Sequence, residues 1–348
     1  MKNGNGLLLS ALALCLGLAA SVSAQSSPEG VKVEMKFKSY QKWDIVLPQE
    51  KFLPVAGKIP VAHAGGDGFL TEIDGTALSI DANGDGKTGD VKAKGVAGWV
   101  MLKGETDQGK RFAYAVRLVN AGGWSYATSA AMVGTYEGET IRLIDQNGNG
   151  RYDDFGADAM IVGDSEAASF LSHVISIKDA LYEVEVDALG SELVIRPYTG
   201  ETGILDLTAR YETEGKLTAA VVKSSDGLYS FELSGEKKGL RVPAVKYEIA
   251  SGRVELGRES VQIRNGKARP ITVASGQTAA LAWGGPITAT FEFDREGDKV
   301  TFSPQKLWFH GKAGEEYHTW VPDGKPPKFV IADAKTGKEI AEAKFGGC

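Results

Sequence analysis

Apolar and polar residues alternate along most of the chain, in short runs that stop at turn residues. Val31, Val33, Met35 and Phe37 are separated by polar neighbours, the period-two signature of a half-buried strand. The same period recurs at residues 112–118, 182–186, 193–195, 217–222, 229–233, 287–293 and 329–331. Gly, Asp, Asn and Pro separate these runs, and the 44 glycines supply many tight turns. Helical periodicity is nearly absent. The best candidate is residues 164–172, with Asp164 or Ser165 as N-cap and Glu166 early in the first turn. The pattern predicts an all-β chain of β-sandwich-like layers with at most one or two short helices.

The first stretch reads as an export signal. Met1-Lys2 gives a positive start, residues 7–20 are apolar or small and uncharged, and Val22-Ser23-Ala24 offers a peptidase site, so residues 1–24 are expected to be removed. Leu14 precedes Cys15 where lipid attachment needs a small residue, which disfavours a lipoprotein. No later run has the ~18 apolar residues of a membrane-spanning helix. The expected localisation is secreted, periplasmic or cell-envelope.

About 324 residues then remain, more than one compact core usually holds. The composition at 198–203 (YTGETG) and at 235–239 (GEKKG) suggests a joint. The division falls near residue 205, giving an N-terminal β-domain over 25–204 and a C-terminal domain with Ig-like strand spacing over 205–348. In the latter, a Pro/Gly-rich loop at 322–327 precedes a strand at 328–332, a hairpin turn at 334–338 and a closing strand at 339–345. Val242-Pro243 followed by residues 247–249 resembles the turn-and-strand rhythm of fibronectin- or transthyretin-like modules.

Without Lys2 the chain carries 38 basic and 45 acidic residues, a net charge of −7. A mildly acidic chain with no basic cluster is a poor partner for nucleic acid or an anionic membrane. Cys348 is the one cysteine left after cleavage, so no intramolecular disulfide can form, and stability must come from large cores and from any bound metal.

Two polar loops carry the sharpest chemistry. One runs Asp81-Ala82-Asn83-Gly84-Asp85-Gly86-Lys87-Thr88-Gly89-Asp90, the other Asp145-Gln146-Asn147-Gly148-Asn149-Gly150-Arg151-Tyr152-Asp153-Asp154. Counted from the first Asp, both place oxygen-bearing side chains at positions 1, 3 and 5, Gly at 6 and Asp at 10; the second adds Asp153 at 9. Ca²⁺ takes roughly 6–8 oxygen ligands at about 2.3–2.6 Å, and alternate residues of a curled loop can aim at one centre. Gly at position 6 permits the turn. Lys87 and Arg151, at position 7, would contribute backbone carbonyls with their side chains turned outward. The expected ligands are therefore Asp81, Asn83, Asp85, Lys87 and Asp90 in one loop, and Asp145, Asn147, Asn149, Arg151, Asp153 and Asp154 in the other, with Asp158 nearby. The metal-free alternative is that Asn-Gly and Asp-Gly simply make hairpin turns.

On these residues the loops resemble the D-x-[DN]-x-[DN]-G calcium loops of EF-hands, dockerins, thrombospondin type 3 repeats and integrin-type propellers, which implies structural Ca²⁺. The resemblance covers about 20 of 348 residues. Position 12 is Lys92 or Gly156 where an EF-hand has its bidentate Glu, and both loops follow strand-like runs, so no helix-opening switch is implied.

Other constellations are weaker. His310, Glu315, Glu316 and His318 could supply an acid/base pair or metal ligands, and a hydrolase site assembled from distant strands would be sought there. Ser234-Gly235-Glu236-Lys237 with Lys335-Thr336-Gly337 superficially resembles penicillin-binding enzymes but lacks S-D-N. Val162-Gly163-Asp164-Ser165 lacks the rest of a triad. Exposed Trp can stack on sugars, and Trp124, Trp283 and Trp308 are the candidate platforms for a carbohydrate-binding role. The leading expectation is a non-enzymatic, calcium-stabilised exported protein with a binding or structural role, its partner an extracellular glycan or protein.

Overall fold

The computed structural model describes Met1 and residues 30–297, 299–321 and 328–344. The expected signal segment, the loop at 322–327, Phe345 and Cys348 lie outside the described residues. Those residues hold strands and turns with no helix, so the chain is all-β. No helix among them is long and apolar enough to cross a membrane.

The alternation at the N-terminus becomes two strands in two sheets. Val31–Glu34 pairs with Glu192–Pro197, and Lys36–Ser39 pairs with Ala130–Tyr136. Met35, 3% exposed, is the buried hinge between them. Antiparallel pairing dominates. A four-stranded sheet runs Leu53–Pro54, Trp124–Thr128, Arg111–Asn120, Ala97–Glu105. A five-stranded sheet runs Ser169–Phe170, Ala159–Val162, Glu139–Ile144, Ala130–Tyr136, Lys36–Ser39. A third sheet contains Ala77–Ile80 paired with Val91–Ala93. Between them lies a core that includes Phe69, Leu78, Ile80, Leu102, Tyr114 and Leu143.

A second core lies around Trp283, Tyr247, Leu233, Ile263 and Tyr317, against a large sheet that includes Lys216–Ser224, Lys246–Leu256, Glu259–Arg264 and Glu316–Val321. Val174 and Leu181 reach into this second core, while Ile175 and Ile177, on the same strand as Val174, face the first. Opposite faces of one strand thus serve two cores, as the period of two requires.

Two sequence expectations need correction. Residues 164–172 form no helix. Ser165 Oγ accepts the Ala167 N–H at 3.0 Å, and Val46 exchanges backbone bonds with Glu166 and Ala168 at 2.9 Å. Ser169–Phe170 then pairs with Ala159 and Met160. The backbone groups a helix would satisfy internally are taken by neighbouring strands, and serine caps a turn instead. The run at 287–293 forms the strand Thr288–Glu296, but every residue of it is exposed, because its hairpin with Lys299–His310 extends past the edge of the second core. The turn between Lys328–Ala332 and Glu339–Lys344 falls where the sequence places it.

Candidate metal centre

Both polar loops are hairpin connections. Ile80 pairs with Val91, so residues 81–90 close one hairpin; Ile144 pairs with Ala159, so residues 145–158 close the other. Strand register therefore brings Asp81 next to Asp90, and Asp145 next to Asp158. The second loop is the first with residues 155–158 added, and those residues bring in Asp158.

The two loops share one internal bonding scheme. Asp81 accepts the N–H groups of Gly84 at 2.7 Å and Gly86 at 2.9 Å. Asp145 accepts those of Gly148 at 2.7 Å and Gly150 at 2.6 Å. Asn83 and Asn147 accept from the backbone two residues on, at 2.9 and 3.2 Å. Asp85 and Asn149 do the same for Lys87 and Arg151, at 2.9 and 2.8 Å. Such Asx bonds curl the chain locally. Gly150 has φ +83°, and a Cβ there would meet Val61 Cγ1 at 2.7 Å, so position 6 of the second loop admits only glycine.

The loops differ in depth. Asp85 and Asp90 are exposed, and Asp90 is held by the Ala82 N–H at 2.9 Å and by Asn83 Nδ2 at 3.3 Å. In the second loop Asp154 Oδ2 gathers Asn147 Nδ2 at 2.8 Å and Asn149 Nδ2 at 2.6 Å. Asp145, fully buried, also accepts the Tyr114 hydroxyl at 2.8 Å. Tyr126 clamps the same loop by donating to the Gly148 carbonyl at 3.1 Å. Asp158 is 1% exposed; one oxygen accepts the Asp154 N–H at 3.1 Å and the other has no partner. The Tyr152 hydroxyl, also buried, lacks a partner too.

Burial dominates the electrostatics. It pushes Asp145 up to about 6, against the hydrogen bonds from Tyr114 and the backbone of Gly150, Gly148 and Asn149. Asp158 rises to about 9, first through burial and then through the negative charge of Asp145, with Asp154 and Asp153 adding to it. Tyr114 and Tyr152 are raised well above a free phenol, chiefly by burial and next by Asp145. The loop's own arginine is spent elsewhere: Arg151 forks onto Asp153 at 3.0 and 2.7 Å.

The expected ligands thus divide. Asn147 and Asn149 meet on Asp154, while Asp145 is spent on the loop backbone and the Tyr114 hydroxyl. Asp153 is turned to Arg151, away from that group. Asp81, Asn83 and Asp90 converge at one end of the first loop, where Asp85 and Lys87 are exposed. Among the described residues no group of three or more His, Cys, Asp or Glu side chains stands ready to hold a metal. A cation at the second loop would therefore draw on amide and carbonyl oxygens as well as carboxylates. Asn147 and Asn149 turn Nδ2 to Asp154 and keep Oδ1 on the N–H groups of Asn149 and Arg151, so a cation here would have to draw both amide oxygens out of those bonds.

The remaining candidates are committed to other partners. Glu316 forms a fork with Arg264 at 2.9 and 2.6 Å, which holds its carboxyl below the usual range. Glu315, fully buried, accepts the N–H groups of Gly284 at 2.7 Å and Ala313 at 3.0 Å. His318 bonds Thr319 Oγ1 at 2.8 Å, and burial lowers its pKa. The sugar-platform expectation fails for two tryptophans: Trp124 and Trp283 are 4% and 0% exposed, and Trp283 Nε1 donates to the Leu207 carbonyl at 2.7 Å. Trp308 is half-buried. Sequence spacing gave no sign of Tyr114 or Tyr126 beside the second loop, since both lie on strands of a different sheet from the one whose hairpin carries it.

No protein-family model matches this chain, and neither a characterised protein nor a solved structure is significantly similar to it.

Proposed function

We propose that this is an exported β-rich protein in which Ca²⁺ at the second loop, and more weakly at the first, stabilises a scaffold with a binding or structural role at or outside the cell surface. The supporting observation is Asp158: a buried carboxylate oxygen without a partner, beside Asp145 and Asp154, with the loop's own guanidinium taken by Asp153. Burying several carboxylates together is unfavourable unless protons or a cation neutralise them. Calorimetric titration of the metal-stripped protein with Ca²⁺, beside Asp154→Asn and Asp90→Asn, tests it. Saturable uptake reduced mainly by Asp154→Asn is expected; absence of uptake in the parent chain ends the reading. Export is tested separately by N-terminal sequencing of the secreted chain, with cleavage after Ala24 expected.

A further inference from the structure

The strand Glu316–Val321 carries a bulge at the margin of the second core. Ser260 pairs with Val321 and Gln262 with His318, so Val261 alone faces two residues, Thr319 and Trp320. Thr319 has φ +50°, a left-handed backbone that a β-branched residue rarely adopts. Regular alternation would put Tyr317 and Trp320 on opposite faces. With the bulge, the Trp320 ring lies 6.4 Å from that of Tyr317, tilted by 33°, and meets Phe309 edge-on at 5.5 Å. Trp320 nonetheless stays 47% exposed. Strained residues, and bulges that re-aim a side chain, concentrate at binding sites.

Trp320 and Tyr317 line a cavity of about 710 Å³, within the ~300–1,000 Å³ of small-ligand sites. Tyr211, on the facing segment, belongs to the same aromatic group: its hydroxyl lies 3.3 Å from that of Tyr317, and its ring packs on Trp283 at 4.3 Å. Strand register fixes the rest of the wall. Val254 pairs with Val261, and both side chains belong to the second core. Leu256 pairs with Glu259, each two residues further along its strand, so both turn to that same side. Tyr317 pairs with Ile263, two residues from Val261 in the other direction, and shares it. The ionisable groups among the described residues of the lining are Glu212, Glu214 and Glu259, with no Lys, Arg or His. Glu212 is matched by Lys312 at 2.7 Å. An exposed indole, phenol rings beside it and a carboxylate on the same wall repel an anion and suit a substituted ammonium ion. Aromatic faces attract its charge, and its alkyl groups fill apolar space. We propose that this cavity binds an organic cation of the quaternary ammonium class, with Trp320 as the platform and Glu259 as the counter-charge. None of these residues belongs to either polar loop, so the inference goes beyond the calcium reading and does not depend on it.

The test is titration of the protein in EDTA with choline and with its uncharged isostere, in which a tert-butyl group replaces the trimethylammonium, followed by ligand NMR and tryptophan fluorescence. Choline is expected to bind, and the isostere roughly fivefold more weakly, the scale of a cation–π contact. Trp320→Leu, which keeps apolar cover, should remove that preference while leaving the melting temperature near the parent value. Glu259→Gln should weaken choline roughly threefold and leave the isostere unchanged. Trp308 pairs with Thr290 beside the Ala289–Phe309 pair, so alternation turns it to the other face, and Trp308→Phe should alter neither ligand. No binding of choline, equal or tighter binding of the isostere, or insensitivity to both Trp320→Leu and Glu259→Gln overturns the assignment. Calcium uptake without choline binding defeats this inference alone. Choline binding by a chain that takes up no calcium defeats the calcium reading and upholds the cavity.

Discussion

Replacing Asp145 with alanine tests the reasoning about the second loop most directly, because its cost does not depend on metal. The carboxylate is fully buried and accepts four hydrogen bonds, from the N–H groups of Gly148 (2.7 Å), Asn149 (3.3 Å) and Gly150 (2.6 Å) and from the Tyr114 hydroxyl (2.8 Å). Alanine leaves those donors with no acceptor in a site closed to solvent. A buried group deprived of its partner costs about 1–3 kcal/mol. The hydroxyl can rotate and the 3.3 Å bond is long, so the two short backbone bonds set the scale, about 3–5 kcal/mol in all. Some relief comes from removing a carboxylate that burial already disfavours, which puts the expected loss at the lower end. The assay is urea unfolding of parent and variant in excess EDTA, which removes any contribution of bound cation. With Ca²⁺ added, the gap should widen by the ligand term, ~2.7 kcal/mol at a hundredfold excess over Kd. A loss below about 1 kcal/mol in EDTA would show that the loop is not pinned by this carboxylate and would refute the bonding scheme.

Three further comparisons follow from the same structure. Gly150→Ala should cost more than Gly86→Ala: both glycines have φ near +80°, but a Cβ at 86 meets open space and one at 150 meets Val61 at 2.7 Å, so an overpacking cost of about 1–3 kcal/mol is added to the common backbone strain; equal melting temperatures would contradict this. Trp283→Ala should lose about 3–5 kcal/mol, and Trp283→Phe less, the remaining loss reflecting the bond to the Leu207 carbonyl; denaturant midpoints decide. Burial raises the pKa of Glu232, so the folded state holds that proton longer than the unfolded one, and stability falls as pH rises from the unfolded value through the folded one. Glu232→Gln should accordingly gain on the parent as unfolding is measured at increasing pH from 4 to 8, and a constant gap would contradict the sign.

The fold class was legible because strand periodicity needs only neighbours in sequence. Met35 shows the limit: the alternation through Val31 and Phe37 is real, but the change of sheet at Met35 depends on partners at 192–197 and 130–136. Ser165 and Glu166 look like a helix start, yet the Val46 backbone claims the segment, a tertiary contact that overrides local capping. In the loops, the turn-permitting glycines were readable from spacing; the Asx bonds were not, since the same side chains read as aimed at a cation. Nor were the Tyr114 and Tyr126 contacts, since Tyr114 lies 31 residues from Asp145 and reaches it from another sheet. Burial of Trp124 and Trp283 was equally hidden, because tryptophan serves core and surface alike.

The second loop also governs a seam remote from its own centre. Beyond Asp154 the chain passes Phe155, stacked on His173 at 3.7 Å, and Gly156, whose carbonyl accepts Lys223 Nζ at 2.9 Å. His173 and Phe170 in turn bond Leu228 and Ser230, at 3.0 and 3.1 Å. Val174 and Leu181 complete the seam by lending their side chains to the other core. The two halves are therefore not interchangeable cassettes. A chain severed near residue 205 would leave each piece with an open apolar wound, and whatever tightens the acidic hairpin would be felt as stiffness between the halves.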